Sequence, residues 1–294
     1  MFEGSMVALV TPFKSGKVDE ASLRQLVDFH VEAGTDVIVP CGTTGESATL
    51  SHEEHEQVIS VVVKQAAGRV KILAGAGSNS TAEAIRLHKY CAGAGVDGTL
   101  HITPYYNKPT QEGLFQHFQA IAKSANLPVV LYNVPGRTCV NMLPDTVIRL
   151  SKIDNIVGIK EASGNLVQAS EIISGVSSDF GLYSGEDALT YPLYALGARG
   201  VISVTANIVP EPMARQYKLI KKGDFSGARA IHEKLLKLHD VMFVETNPIP
   251  VKAALAMMGK IEEEYRLPLV PLSSASREKL RKILNEQGLI KYQL

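Results

Sequence analysis

The chain has 294 residues, 45% of them hydrophobic, so it can bury a large core in either two ordinary domains or one barrel-sized domain. Its 30 basic and 30 acidic residues balance, which argues against a nucleic-acid partner and favours small molecules. The start MFEGSMVALVTPF lacks signal-peptide features, and no apolar run approaches the roughly 20 residues of a membrane span, so we expect a soluble, cytoplasmic protein.

Short β-branched runs alternate with amphipathic segments through about 220 residues, the pattern of repeated strand–helix units on a parallel sheet. Several amphipathic segments open with Ser or Thr and close with Gly, as helices do. We predict eight buried strands, at residues 6–10, 36–40, 70–74, 98–103, 128–133, 156–160, 180–184 and 200–204. Eight units favour an α/β fold of the closed (β/α)8 TIM-barrel type over an open doubly wound sheet.

The strand pattern stops after the eighth unit. Helices are predicted over residues 225–244, 250–258 and 274–287, and the proline-containing segment EEEYRLPLVPL is predicted to link the last two. The chain therefore divides into a (β/α)8 catalytic barrel over residues 1–223 and a C-terminal helical extension over residues 224–294.

A lysine ends the sixth predicted strand, IVGIK, at the edge where barrel enzymes build their active sites. This residue is Lys160. Burial disfavours an ammonium ion, so an amine at this place can attack a ketone as a nucleophile. The alternative is a structural lysine that reaches the rim of the barrel or pairs with Glu161.

Other polar groups follow neighbouring strands at the same edge. Tyr132, near the end of the fifth strand, can exchange protons, and Arg137 in the next loop has a planar guanidinium group that can bind a carboxylate. A core tyrosine and a surface arginine are the alternatives. The turn GTTGES after the second strand can bind a carboxylate through its backbone amides and the hydroxyls of Thr43 and Thr44. The alternative is an ordinary strand–helix turn without a binding role.

Several further motifs give weaker evidence of a functional site. The adjacent tyrosines in PYYNKPT suit a subunit interface as well as a catalytic site. His52 and His55 are three residues apart rather than four as in HExxH, so no metal site is predicted. The motif GAGSNS lacks the third glycine of a dinucleotide fingerprint, and no nucleotide cofactor is expected. Cys41, one of three scattered cysteines, is interpreted as a small buried hydrophobe rather than a nucleophile.

Five motifs follow one another along the chain: GTTGES (42–47), TPYYNKPTQEG (103–113), LYNVPGRT (131–138), GIKEASGN (158–165) and VISVTAN (201–207). Together with TNPIPVK (246–252), they resemble the dihydrodipicolinate synthase family, within the pyruvate-dependent class I aldolase and N-acetylneuraminate lyase superfamily. The resemblance covers essentially the whole chain. It implies the condensation of pyruvate with L-aspartate 4-semialdehyde through a lysine Schiff base, in the diaminopimelate route to lysine, without a metal or organic cofactor.

The resemblance also implies roles at matching positions. Lys160 forms the Schiff base with pyruvate, and Tyr132 donates and accepts protons. Thr44 links Tyr132 to Tyr106 of a neighbouring subunit in a proton relay, with which Thr43 is also counted. The implied substrate-binding residues are Thr43 and Thr44 for the pyruvate carboxylate, Arg137 for the semialdehyde carboxylate, and Gly185 and Ile202 as pocket walls.

A second implied site binds an inhibitor. Lysine-inhibited members have a pocket at the dimer interface, and the matching set here is Ser47, Ala48, His52, His55, Asn79, Glu83 and Tyr105. The resemblance therefore implies feedback inhibition by L-lysine, with Glu83 pairing with one of its amino groups, in a homo-oligomer that is a dimer of dimers, a homotetramer.

Two other functions remain open. A sister aldolase that cleaves N-acetylneuraminate or a keto-deoxy sugar acid shares the turn, the tyrosine and the lysine, although Arg137 and the pair Thr44 and Tyr106 favour the semialdehyde. A non-catalytic barrel that senses pyruvate or lysine is the alternative of another class. Small departures from the family pattern fall at Cys41, Gly77 and Glu186.

Overall fold

A computed structural model describes residues 2–291, and its centre is a closed barrel of parallel strands. The barrel order is β1-β10-β9-β8-β7-β6-β5-β4. The strands are β1 (Gly4–Ala8), β2 (Phe13–Lys14), β3 (Lys17–Val18), β4 (Val37–Val39), β5 (Lys71–Gly75), β6 (Gly98–Ile102), β7 (Val129–Asn133), β8 (Ile156–Glu161), β9 (Gly181–Ser184) and β10 (Gly200–Ser203). The closed barrel confirms the predicted (β/α)8 architecture and excludes the doubly wound sheet.

Helices follow the barrel strands and continue after the last one. They are α1 (Glu20–Glu32), α2 (His52–Ala66), α3 (Thr81–Ala94), α4 (Gln111–Ser124), α5 (Pro135–Thr138), α6 (Pro144–Leu150), α7 (Leu166–Gly175), α8 (Thr190–Leu196), α9 (Pro210–Lys221), α10 (Phe225–Val241), α11 (Ile249–Met257) and α12 (Ser274–Glu286). Over residues 2–291, none of the helices combines the length and the apolar character that a membrane crossing requires.

The last three helices confirm the predicted C-terminal helical part to within a few residues at each end. Residues 292–294 of the predicted extension lie outside the described residues. The division of the chain between residues 223 and 224 stays a prediction.

The barrel strands are buried on both faces, which is why their sequences read as nearly continuous apolar runs. Side chains that meet inside the barrel include Met6, Val39, Leu100, Val130 and Ile202. The first strand begins earlier than predicted, because the backbones of Gly4 and Ser5 pair with β10 although neither side chain is apolar. The pattern of hydrophobic residues alone does not reveal a pairing made by the backbone.

A small hairpin, β2 with β3, is absent from the elements predicted from the sequence. Its turn residues Ser15 and Gly16 both have positive φ, 53° and 80°, the conformation of a tight two-residue hairpin turn. The hairpin packs on the C-terminal part of the chain: the Gly16 backbone N–H donates to the Glu264 carboxylate at 2.7 Å, and Lys14 pairs with Glu262 at 2.5 Å. The start of the chain is thereby tied to its end.

Candidate active site

A cavity of about 460 Å³ opens where the barrel strands end, and we call it the first cavity. It gathers the predicted catalytic and substrate-binding residues other than Tyr106. Those that line it are Thr43, Thr44, Tyr132, Arg137, Lys160, Gly185 and Ile202. Residues that are far apart in sequence thus meet at the carboxyl edge of the sheet, where parallel barrels build active sites.

Lys160 and Tyr132 lie side by side on neighbouring strands. They are register partners in the parallel pairing of β8 with β7. Both residues are buried, with 6% and 7% of their surface exposed, and the Lys160 Nζ lies 4.3 Å from the centroid of the Tyr132 ring. An amine and a phenol that are buried so close together are placed for nucleophilic attack and proton exchange.

Glu161, the next residue, is turned away from Lys160 because successive strand residues face opposite sides of the sheet. Its carboxylate accepts hydrogen bonds from the Asn133 Nδ2 at 3.1 Å, the Gln168 Nε2 at 3.2 Å and the Ser163 backbone N–H at 2.7 Å. Within residues 2–291 the ion pairs do not include one between Glu161 and Lys160. The structural alternative of such a pair is therefore wrong.

The turn GTTGES carries two hydroxyls to the wall of the first cavity. Thr44 is buried, with 2% exposure, and its Oγ1 accepts a hydrogen bond from the Asn247 Nδ2 at 3.1 Å. The turn begins after Cys41 and bends again at Glu46, both in the left-handed region with φ of 56° and 52°. This bent backbone brings Thr43 and Thr44 to the wall of the first cavity.

Arg137 lies exposed at the cavity wall on the short helix α5. Its Nη2 donates to the Asn247 backbone carbonyl at 3.2 Å, so Asn247 contacts both Arg137 and Thr44. Asn247 lies within the motif TNPIPVK, but no role is predicted for it from the sequence. Nothing in the local pattern indicates a contact that spans 203 residues of chain.

The end of β9 requires a glycine. A Cβ on Gly185 would lie 2.5 Å from the Ala162 Cβ and 3.1 Å from the Glu161 carbonyl oxygen, so a larger residue would force β8 and β9 apart. The following residue, Glu186, also lines the first cavity. Burial, and secondly the nearby Glu161, raise the pKa of the Glu186 carboxyl.

A second cavity of about 440 Å³ adjoins the first and shares Gly42, Thr43, Tyr132 and Arg137 with it. Six residues of the predicted lysine set line it: Ser47, Ala48, His52, His55, Glu83 and Tyr105. The seventh, Asn79, instead donates from its Nδ2 to the Tyr105 backbone carbonyl at 3.1 Å. The two predicted sites are therefore neighbours with a common wall.

Polar groups in the second cavity have partners already. Glu83 accepts a hydrogen bond from the Ser78 hydroxyl, and its other oxygen lies 3.4 Å from the His52 Nε2. The His55 Nε2 donates to the Gly75 carbonyl at 2.8 Å, and burial lowers the pKa of His55 despite that bond. His55 is therefore a neutral wall residue at pH 7.

Tyr106 is separate from both cavities of its own chain. It is 90% exposed and has a φ of 73°, which a tyrosine rarely adopts. The adjacent Tyr105 is 40% exposed and lines the second cavity. A single chain does not bring Tyr106 to the wall of the first cavity, so its predicted role stays a prediction.

Comparisons with known proteins agree over the length of the chain. A family model described as the dihydrodipicolinate synthetase family matches residues 1–287. The 4-hydroxy-tetrahydrodipicolinate synthases of Geotalea uraniireducens and Syntrophus aciditrophicus are 57% and 55% identical to it over 290 residues, 99% of this chain and 100% of each relative. The resemblance drawn from the motifs is confirmed.

Solved structures are equally similar. Dihydrodipicolinate synthase from Aquifex aeolicus superposes with a TM-score of 0.98 at 48% identity, over 99% of this chain and 100% of that one. The chloride-inhibited enzyme of Acinetobacter baumannii, complexed with pyruvate, gives 0.97 at 49% identity over 99% and 100%. The enzyme of Cyanidioschyzon merolae with lysine bound gives 0.96 at 45% identity over 98% and 99%.

Proposed function

Since the chain belongs to the dihydrodipicolinate synthase family, we propose that it is a lyase of the class I aldolase type. It condenses pyruvate with L-aspartate 4-semialdehyde to give 4-hydroxy-tetrahydrodipicolinate, in the diaminopimelate route to lysine. The observation that carries this proposal is the buried pair of Lys160 and Tyr132 on adjacent strands, 4.3 Å from amine to ring centroid. The names of the full-length relatives support the same reaction.

In the proposed reaction, the Lys160 amine attacks the ketone carbon of pyruvate, and water leaves to give a protonated imine. The imine withdraws electrons, so a C3 proton is lost and an enamine forms. That carbon attacks the aldehyde carbon of the semialdehyde, whose oxygen takes up a proton. The substrate's own amine then attacks the imine carbon and displaces Lys160, which closes the ring and restores the enzyme.

The proton transfers of this scheme are assigned to Tyr132. Its phenol lies beside the amine and on the cavity wall, and phenols both donate and accept protons. Thr44, counted together with Thr43, connects Tyr132 to Tyr106 of the partner subunit. The 90% exposure and unusual backbone of Tyr106 support a role outside its own chain.

Substrate binding is assigned to the other lining residues. Backbone amides of Thr43 and Thr44 hold the pyruvate carboxylate, and Arg137 receives the carboxylate of the semialdehyde. Gly185 and Ile202 shape the pocket. The scheme needs no metal or organic cofactor, because the imine itself stabilises the carbanion.

A pyruvate-consumption assay tests the proposal. Pyruvate is expected to disappear only when L-aspartate 4-semialdehyde is added, and Lys160→Ala should abolish the loss. Consumption with N-acetylmannosamine instead would move the protein to the sugar-acid aldolases. Consumption with neither acceptor, or a Lys160→Ala variant that keeps its full biological effect, would favour the non-catalytic sensor.

Lysine inhibition and assembly belong to the same proposal. The second cavity is assigned to L-lysine, with Glu83 pairing with one of its amino groups, and the lysine-bound relative supports this ligand. The assembly is assigned as a cytoplasmic homotetramer built from tight dimers. Millimolar lysine is expected to slow turnover and raise the melting temperature, and Glu83→Gln should raise the concentration needed for both effects. If lysine changes neither quantity in the wild type, the assignment is wrong.

A further inference from the structure

A lysine outside the proposed mechanism is completely buried, and its partner, Glu46, lines the second cavity. Lys252 is the only charged residue of helix α11, IPVKAALAM, and its side chain is 0% exposed. Its Nζ lies 2.5 Å from the Glu46 Oε1, and the Glu46 side chain is 1% exposed. A buried charge is costly unless it is paired, so these two groups depend on each other.

Two parts of the chain, the hairpin and residues 265–266, enclose this ion pair. The Lys252 Nζ lies 4.3 Å from the centroid of the Phe13 ring in the hairpin and 5.4 Å from that of Tyr265. The second carboxylate oxygen of Glu46 accepts a hydrogen bond from the Arg266 backbone N–H at 3.2 Å. Each oxygen of the carboxylate therefore has a partner from the C-terminal part of the chain, and the geometry of Glu46 is fixed from two directions.

Glu46 is also part of the turn that carries the catalytic hydroxyls. Its backbone N–H donates to the Thr43 carbonyl at 3.1 Å, and its φ is 52°, a conformation that non-glycine residues adopt only when surrounding contacts stabilise it. Five residues before Lys252, Asn247 donates to the Thr44 hydroxyl. One C-terminal segment thus holds the turn at Thr44 and again at Glu46.

We infer that Glu46 and Lys252 are positioning residues, whose ion pair fixes the turn of residues 42–47 so that Thr44 faces the pyruvate site. Neither residue acts on substrate. This inference rests on the proposed function, because it assigns the pair a role through the Thr44 hydroxyl and the amides beside it. Stability alone does not require an ion pair at this place, because apolar side chains of similar volume stabilise an interior as well or better.

The test must avoid leaving one charge unpaired in the interior, because an uncompensated buried charge strongly destabilises the folded chain. The double variant Glu46→Gln/Lys252→Met removes both charges and keeps similar volumes. We expect it to fold with a melting temperature near that of the wild type and to lose kcat on the order of ten- to a hundredfold, the effect of a slightly displaced catalytic group. Should it not fold, Glu46→Asp, which keeps both charges but shortens the carboxylate arm, gives the same comparison.

The matched control weakens the C-terminal part at another place, because Leu284 of helix α12 is 0% exposed in the core. Leu284→Ala is expected to lower the melting temperature and leave kcat near the wild-type value. An equal loss of kcat in this control would overturn the inference, because it would show that any weakening of the extension slows the reaction.

The decisive readout is a double-mutant cycle with Thr44→Val. In that background the hydroxyl to be positioned is gone, so Glu46→Gln/Lys252→Met should lower kcat by a much smaller factor than in the wild type. A wild-type kcat in the double variant, or the same factor in both backgrounds, would overturn this inference alone. A wild-type chain without turnover would overturn the proposed function and this inference with it.

Discussion

The two sides of the first cavity are built in different ways. On the strand side, Lys160 and Tyr132 are brought together by the parallel register of β8 with β7. On the turn side, Thr44 and Arg137 lie on a turn and a short helix that Asn247 holds from 203 and 110 residues away. The position of the proposed nucleophile is therefore set by strand pairing, whereas the positions of the groups proposed to assist it depend on long-range side-chain contacts.

The strand side should give the largest effect on turnover. Tyr132→Phe keeps the ring beside Lys160 and removes the hydroxyl, so kcat should fall by roughly 10²- to 10⁴-fold, the usual contribution of a general acid–base group. Steady-state kinetics with pyruvate and the semialdehyde would measure it.

Tyr183→Phe is the matched control for this substitution. The Tyr183 hydroxyl is buried in the barrel as well, but it donates to the Phe2 carbonyl at 3.0 Å and is not on the wall of the first cavity. We expect a lower melting temperature and little change in kcat. Equal losses of kcat in the two variants would contradict the assignment of Tyr132.

The turn side should give a smaller effect. Asn247→Ala removes the 3.1 Å hydrogen bond to Thr44 but keeps the backbone carbonyl that receives Arg137. Since one such bond is worth about 1 kcal/mol, kcat should fall by about tenfold or less. Asn155→Ala is the control, because its amide donates to backbone carbonyls of the Ala122–Leu127 region, distant in sequence from the turn. Its melting temperature should fall while kcat stays unchanged.

An Asn247→Ala variant with wild-type kcat would contradict the long-range description of the turn side. A loss in Asn155→Ala of the same size would show that turnover follows overall stability instead. Either result would remove the distinction between the two sides.

Acid should weaken the fold through two buried histidines on the helices around the barrel, His30 on α1 and His117 on α4. Burial lowers the pKa of His30 to about 3 and that of His117 to about 4, from 6.5 in the unfolded chain. Both are neutral when folded and take up protons on unfolding, so their contribution to stability is complete above pH 6.5 and is lost as the pH falls. Each histidine should cost about 1.4 kcal/mol of unfolding free energy per pH unit below that point, until its folded pKa is reached.

Urea unfolding between pH 7 and pH 4.5 would measure this slope. His117→Asn removes one titrating group and keeps an amide near Thr81, whose hydroxyl lies 2.9 Å from the His117 Nδ1. The variant should unfold with a shallower dependence on pH than the wild type. Identical slopes would mean that His117 is not held neutral in the folded chain.

The sequence predicted the strand side better than the turn side for a physical reason. Apolar strand runs and the rule for barrel strand ends place Lys160 and Tyr132 correctly, because both depend on local pattern and parallel pairing. The hairpin at Phe13 and the contact of Asn247 with Thr44 had no local signal of that kind. Lys252 did leave a signal: a single charge inside an apolar helix requires a buried partner, although the sequence does not say which carboxylate provides it.

Borohydride trapping tests the central claim most directly. The chain would be incubated with pyruvate and sodium borohydride, digested and analysed by mass spectrometry for the reduced adduct. The rival amine is Lys252, since burial lowers the pKa of its ammonium group against the opposing effect of Glu46. We predict that the adduct lies on Lys160 and disappears in Lys160→Ala. An adduct on Lys252, or none on any lysine, would contradict the assignment of Lys160 as the Schiff-base nucleophile.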